Sequence, residues 1–276
     1  MKFTYLFLFV WLTFLFSNCK RDPDSLTVIN SESFPEKQVE VHISTLSEGL
    51  NDTLIHKDTS QSTDDVTREI NEMISLTGQV SASGSEKQWR ELLDRWNAFN
   101  ENHFITNLSL FSKNTSIADT IRTPLSTDEA DKWARLNVEL LKITGKARFG
   151  DALEYLLYAN PEYTFPEMLL KSVIYTHVFD DIHINVIGSS SMEYQHTTGG
   201  TVRLVQETNY PQGSEMILMC ETGDVRFMNI YIRIPAWAVN PVVAYGNVKY
   251  VAIPGEYCQI SKKWRTGDEI TVSLKN

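Results

Sequence analysis

The hydrophobic positions of this chain change their spacing twice. From Phe3 to Phe16 they run almost unbroken. From about Asp65 they recur every three or four residues. Trp89, Leu92, Leu93, Trp96 and Phe99 share one helical face, Trp133, Leu136, Leu140 and Ile143 a second, and Phe149, Leu153, Leu156 and Leu157 a third. Ser85 with Gln88 stands at capping-box spacing before the first face. Gly145 follows the second as a C′ residue, and Pro166 suits the first position of a helix carrying Met168, Leu169, Val173 and Ile174. From about Asp181 the period shortens to two. Asp181–Ile187, Thr201–Glu207, Glu215–Met219 and Arg226–Ile234 read as strands, separated by Tyr-Pro-Gln-Gly, Thr-Gly-Asp and Arg-Thr-Gly-Asp turns. In Arg226–Ile234 the alternation puts Ile230, Ile232 and Ile234 inward, opposite Asn229, Tyr231 and Arg233. The pattern predicts an α+β chain in two parts, helices over 65–180 and an antiparallel β-sandwich over 181–276. One short alternating piece, Val39–Ile43, reads as a lone strand, and no internal repeat is visible.

The first apolar run is too short for a bilayer span, which needs roughly 20 residues. Opened by Lys2 and closed by Ser17 and Asn18, it reads as a secretory leader over 1–18. Its end, Phe-Ser-Asn-Cys19, resembles a bacterial lipobox, although Asn18 stands where Gly or Ala is commoner. Cys19 is therefore expected to carry a lipid and to become the first residue of an envelope protein. The expected location is the outer membrane of a Gram-negative cell, with the membrane as partner through that lipid. Residues 19–64, rich in Ser, Thr, Asp and Glu, read as a polar tether. The 25 basic residues face 35 acidic ones, a net charge of −10 at pH 7, which removal of Lys2 makes more negative. Such a chain would repel a phosphate backbone, so nucleic acid is not expected as a partner. Cys220 and Cys258 lie in strand-like sequence and read as ordinary half-buried thiols rather than a disulfide. Asn51, Asn107 and Asn114 match the glycosylation pattern, which in a bacterial chain reads as chance.

Several segments of the β half occur in a familiar order. They are Gln206–Pro211, Tyr231-Ile-Arg-Ile-Pro-Ala-Trp-Ala238, Val248, Pro254-Gly-Glu-Tyr257 and Trp264-Arg-Thr-Gly-Asp268. In these the chain resembles the sandwich of glycoside hydrolase family 127, which contains β-L-arabinofuranosidases. Glu91–Trp96 and Ile143–Glu154 more faintly resemble late helices of that family's (α/α) barrel. The resemblance runs from about Glu86 to the C-terminus and implies that 65–180 is a partial barrel remnant.

The resemblance also implies a chemistry to look for. Enzymes of the family attack with a cysteine thiolate held on zinc by three cysteines and a glutamate; zinc keeps the thiolate deprotonated near neutral pH. Where the first Glu-x-Cys pair belongs, this chain has Ser126-Thr-Asp128; where the Cys-Cys pair belongs, it has Ala159–Pro166 with no cysteine. Asp119 is the only acid in the stretch 111–119, where the family carries its general acid. No zinc or other cofactor is expected. Ser126-x-x-Glu129 reads as a capping box, and a remodelled catalytic site on Asp128 and Glu129 is the fallback.

Other groupings are weaker. His177, Asp180, Asp181 and His183 offer metal-ligating atoms but straddle a helix-to-strand junction, which favours surface histidines beside a turn. Trp237, Trp264, Tyr210 and Tyr257 would suit a sugar-stacking platform, although core positions fit the two tryptophans better. The reading is an exported, non-catalytic relative of the family that binds a plant-type glycan or assists in using arabinose-containing polysaccharides. The alternatives are an arabinofuranosidase-like hydrolase with a relocated site and a gene fragment without independent function. No protein partner is indicated.

Overall fold

The computed structural model describes residues 39–45, 63–104, 125–159 and 163–274. Cys19, Asp119, the three glycosylation motifs and most of the tether lie outside the described residues. Five helices are described: α1 (Thr63–Ser83), α2 (Glu86–His103), α3 (Thr127–Thr144), α4 (Ala147–Ala159) and α5 (Glu167–Ile174). Their ends follow the local chemistry. Ser85 caps α2 by accepting from Gln88 N, but the Gln88 side chain bonds Ser83 and Gln79 instead of closing the box. At α3 the box is complete, and Gly145 closes that helix at φ 61°, a left-handed conformation that glycine adopts without a side-chain clash. Pro166 is the N-cap of α5, one position before the N1 site expected for it.

The β half is a sandwich. A seven-stranded sheet has the order β1-β4-β5-β6-β11-β8-β9, and a four-stranded sheet the order β10-β7-β3-β2. The strands are β1 (Val39–Thr45), β2 (Tyr175–Val178), β3 (Asp181–Ile184), β4 (Ser189–Gln195), β5 (Thr201–Thr208), β6 (Glu215–Thr222), β7 (Arg226–Arg233), β8 (Val242–Tyr245), β9 (Val248–Tyr250), β10 (Tyr257–Trp264) and β11 (Asp268–Ser273). Every neighbouring pair is antiparallel except β3–β7. Those two strands are separated by β4, β5 and β6 in the other sheet, so no hairpin constrains the return direction.

The structure departs from the sequence reading at two places. Strands begin at Tyr175, ahead of Asp181, and the strand read at Val39–Ile43 is present as β1 but does not stand alone: it forms an edge of the large sheet against β4. Val41 and Ile43 on β1 pack on the core, half-buried.

Ile230, Ile232 and Ile234 are fully buried between the sheets, as their alternation predicts. The opposite face of β7 changes along its length: Phe227 is exposed, Asn229 and Tyr231 are half-buried, and Arg233 has no exposure at all. Helix α4 lies over that last residue. The helical core beneath is aromatic. Trp96 stacks on Trp133 at 5.8 Å and meets Phe149 edge-on at 5.2 Å. Such pairs add roughly 0.5–1.5 kcal/mol each beyond burial.

Candidate functional site

The seam between α4 and the sandwich gathers the most unusual chemistry among the described residues. Gly150 makes the approach possible: a Cβ there would lie 2.6 Å from Arg233 Cδ and 3.1 Å from the Asn185 carbonyl. Through that gap Arg233 reaches two acids one turn apart on α4. Nη1 donates to Asp151 and Nη2 to Glu154, while Nε donates to the Asn185 carbonyl. Asp151 also accepts from Ala236 N at 3.3 Å, and Glu154 from Trp237 Nε1 at 3.4 Å. Asn185 completes the framework, donating to Val173 O at 2.8 Å and accepting from Tyr257 Oη at 2.6 Å.

Two carboxylates therefore share one guanidinium. Burial, reinforced by Glu154, pushes the Asp151 carboxyl up to about 7 against the pull of Arg233. Burial raises Glu154 as well. Removing one partner from such a buried group leaves a charge uncompensated, which typically costs about 3–5 kcal/mol.

Beside this triad a cleft of about 210 Å³ opens between α2, α4 and the turn after β7. Trp96, Tyr155 and Trp237 give it aromatic walls; Asn100, Glu101, Arg148 and Asp151 give it polar ones. Asn100 is only 8% exposed, and its Oδ1 finds no hydrogen-bond partner among the described residues.

The residues singled out from sequence fall elsewhere, with one exception. Ser126 Oγ accepts from Glu129 N at 3.4 Å, and Glu129 Oε2 accepts from Ser126 N and Oγ at 2.8 and 2.7 Å, so both serve the cap of α3. Asp128 is exposed and pairs with Lys132 one turn on. His177 Nδ1 bonds the Phe179 carbonyl in its own turn. His183 stacks on Tyr231 at 4.4 Å, and burial pushes its pKa down to about 4. Asp180 meets Thr197 and His196, and Asp181 accepts from Asn229. The four do not converge as a metal site, although Tyr194 links two of them, meeting the His177 ring at 5.4 Å and donating to Asp180. Trp264 is fully buried and donates to the Met228 carbonyl. Trp237 stacks on Tyr210 at 6.2 Å, and both are buried. Tyr257 is held by Asn185, so the four aromatics form no shared platform; Trp237 alone lines the cleft. Cys220 and Cys258 are free, buried thiols on opposite sheets, and burial pushes them up to about 12 and about 11.

The sequence reading missed Gly150, Asp151, Glu154, Arg233 and Asn100. A glycine inside a helical pattern and an arginine between two isoleucines were the available signals.

Residues 181–276 match the family described as β-L-arabinofuranosidase, GH127 middle domain. The chain resembles glycoside hydrolase family 127. Solved structures agree in fold. A GH127 β-L-arabinofuranosidase from Geobacillus stearothermophilus T6 superposes with TM-score 0.54 at 16% identity, over 74% of this chain and 41% of that one. A GH127 β-arabinofuranosidase gives 0.57 at 16% over 76% and 42%, and a glycoside hydrolase 0.58 at 16% over 79% and 50%. The chain thus spans half or less of the length of these relatives. No curated protein matches it. The zinc set that the GH127 resemblance implies does not fit the residues described at the corresponding places. Ser126 and Glu129 are committed to each other, Asp128 to Lys132, and the described part of the second place, Tyr163–Phe165, holds no thiol, imidazole or carboxylate. Among the described residues no three His, Cys, Asp or Glu side chains converge as a metal site.

Proposed function

We propose that this protein is a lipid-anchored envelope protein that binds a glycan through a GH127-like body without hydrolysing it. The observation that carries the reading is the N-terminus of α3. There the side chains standing at the family's first ligand pair are engaged in capping the helix and in a surface ion pair. A retaining glycosidase needs a nucleophile and an acid/base group flanking one bond. Ser126, hydrogen-bonded to its own cap partner, supplies neither, and exposed Asp128 is paired with Lys132. The leader and Cys19 support export and anchoring at the outer membrane, with the membrane as partner through the lipid. A plant-type, arabinose-containing glycan is the substrate class that the GH127 likeness brings with it, and an accessory role in its use follows.

The experiment has two arms. Hydrolysis of a p-nitrophenyl arabinofuranoside, with and without zinc and reductant, should show no turnover. Turnover abolished by Asp128→Ala would replace this reading with a relocated active site. Binding of the full chain to a plant-glycan array should be positive, and a blank array would remove the glycan from the proposal. For the anchor, Cys19→Ala should leave an unprocessed or soluble protein in cell fractions. A variant that still runs as acylated and membrane-bound would refute the lipid assignment.

A further inference from the structure

The geometry points to the cleft between α2, α4 and the turn after β7 as a binding site for a single neutral, polyhydroxylated ring of monosaccharide size. The inference rests on the glycan-binding reading and gives that reading a place.

Three observations meet there. The first is Asn100. It is nine-tenths buried on α2 and lines the cleft, yet its Oδ1 has no hydrogen-bond partner among the described residues. A buried acceptor left unmade costs about 1–3 kcal/mol; Oδ1 is closed to solvent behind the cleft wall, so a ligand donor would reach it through a small shift of the lining side chains. The second is the mixture of polar groups around it. Glu101 and Asp151 accept, while Arg148 donates. A ligand matching both kinds must itself donate and accept, as hydroxyls do and as an ammonium or a carboxylate does not. The opposite charges on Arg148 and on the acids leave no strong preference for an ion. The third is shape. The indole of Trp237 and the ring of Tyr155 line the same space, and aromatic faces suit the C–H faces of sugar rings. The volume, about 210 Å³, lies below the roughly 300 Å³ at which pockets for drug-sized ligands begin. One ring fits, and a chain would have to leave through the open side.

The triad gives the site a rigid floor. Asp151 is held by Arg233 and by Ala236 N, which fixes its carboxylate and the turn that presents Trp237. A ligand hydroxyl meeting Asp151 therefore meets a group that does not have to be ordered first.

The test is tryptophan fluorescence of the full chain, titrated with L-arabinose, D-xylose and D-galactose. Two variants are compared with the unmodified protein. Asn100→Leu removes the buried acceptor, and Asn97→Trp fills the cleft from its partly exposed rim on α2. At least one of the three sugars should give a saturable change. Asn100→Leu should weaken it about fivefold or more, the worth of one hydrogen bond, and Asn97→Trp should abolish it. Far-ultraviolet circular dichroism of both variants should match the unmodified protein and neither should melt lower, which separates lost binding from lost folding. If Asn100→Leu fails to fold, Asn97→Trp decides alone. Saturable sugar binding unchanged in the folded variants would overturn the cleft while leaving the glycan reading standing. Binding of oligosaccharides on the array with none of a monosaccharide would overturn the single-ring site only. No sugar binding in either format would overturn both.

Discussion

Two helices of this protein each carry a pair of acids, and their fates differ. Asp128 and Glu129 open α3; Asp151 and Glu154 sit one turn apart on α4. The first pair finds partners within four residues, in Ser126 and Lys132. The second finds its cation 79 and 82 residues away, in Arg233 on β7. Capping costs little to arrange because the chain is already there, and it leaves the acids with local duties only. The second pair gives up nearly all its water and depends on a side chain from another layer. The helical half and the sandwich are thereby joined through one buried charge cluster, and chemistry collects at that seam rather than at the capped helix end.

The sharpest way to break the contrast is to remove the shared cation. Arg233→Met should destabilise the protein by about 3–5 kcal/mol, because both acids stay buried without it. Adding Asp151→Asn and Glu154→Gln should recover much of that loss. Urea unfolding followed by circular dichroism measures both. A loss below about 1 kcal/mol for Arg233→Met would mean that water reaches the triad and that the seam is not what holds the two halves together.

Gly150 should come next in size. Alanine normally favours a helix over glycine by up to about 1 kcal/mol. At Gly150 the new Cβ would meet Arg233 at 2.6 Å, so Gly150→Ala should instead destabilise by about 1–3 kcal/mol. Gly78, on the exposed face of α1, has nothing within 4 Å of such a Cβ, and Gly78→Ala should stabilise. Opposite signs from the same substitution in two helices of one protein are the expected outcome of paired melts. Matching signs would refute the steric account of the seam.

The α3 end gives a smaller effect. Ser126→Ala removes the cap and should cost about 1 kcal/mol, with no effect on sugar binding. A change in binding beyond the change in stability, measured in the same titrations, would place α3 in the site after all.

These contrasts also explain what could be read from the sequence. The complete box at Ser126 and Glu129, Gly145 and the inward isoleucines of β7 follow from spacing, because helix and strand periods are local properties. The partial box at Ser85 shows the limit even there: Gln88 found better partners in Ser83 and Gln79. Arg233 was read outward with Asn229 and Tyr231, and the strand does point it away from the sheet core. It is buried because α4 arrives from far along the sequence, which no period records. The same holds for β1, whose partner β4 begins more than a hundred residues later. The candidate cleft was illegible for this reason, apart from the anomaly of a glycine inside a helix.

The smallest expected effect is on pH dependence, because the buried acids of the seam and a buried histidine oppose each other. Asp151 titrates near 7 in the folded chain but near 3.8 when exposed. Between those values the native state keeps a proton that the unfolded state has lost. The Asp151 contribution is therefore full below about pH 4 and falls away as pH rises towards 7. The raised Glu154 acts in the same direction. His183 behaves oppositely. Burial against Tyr231 lowers it to about 4 from 6.5, so the unfolded state takes up a proton that the native state refuses. Its contribution is full above about pH 6.5 and is lost as pH falls towards 4. Across pH 4–6.5 the His183 slope opposes the slope of Asp151 and Glu154, so the melting temperature of the unmodified protein should change less than in variants that lack one side of the balance. Substitution separates them. Asp151→Asn together with Glu154→Gln should leave stability rising with pH across this interval, and His183→Phe, which keeps a ring against Tyr231, should leave it falling. Melting curves at half-unit pH steps in constant ionic strength measure the slopes. Flat profiles in both variants would mean that neither group is shielded from water as the structure places it, and the seam would lose its distinction from the capped end of α3.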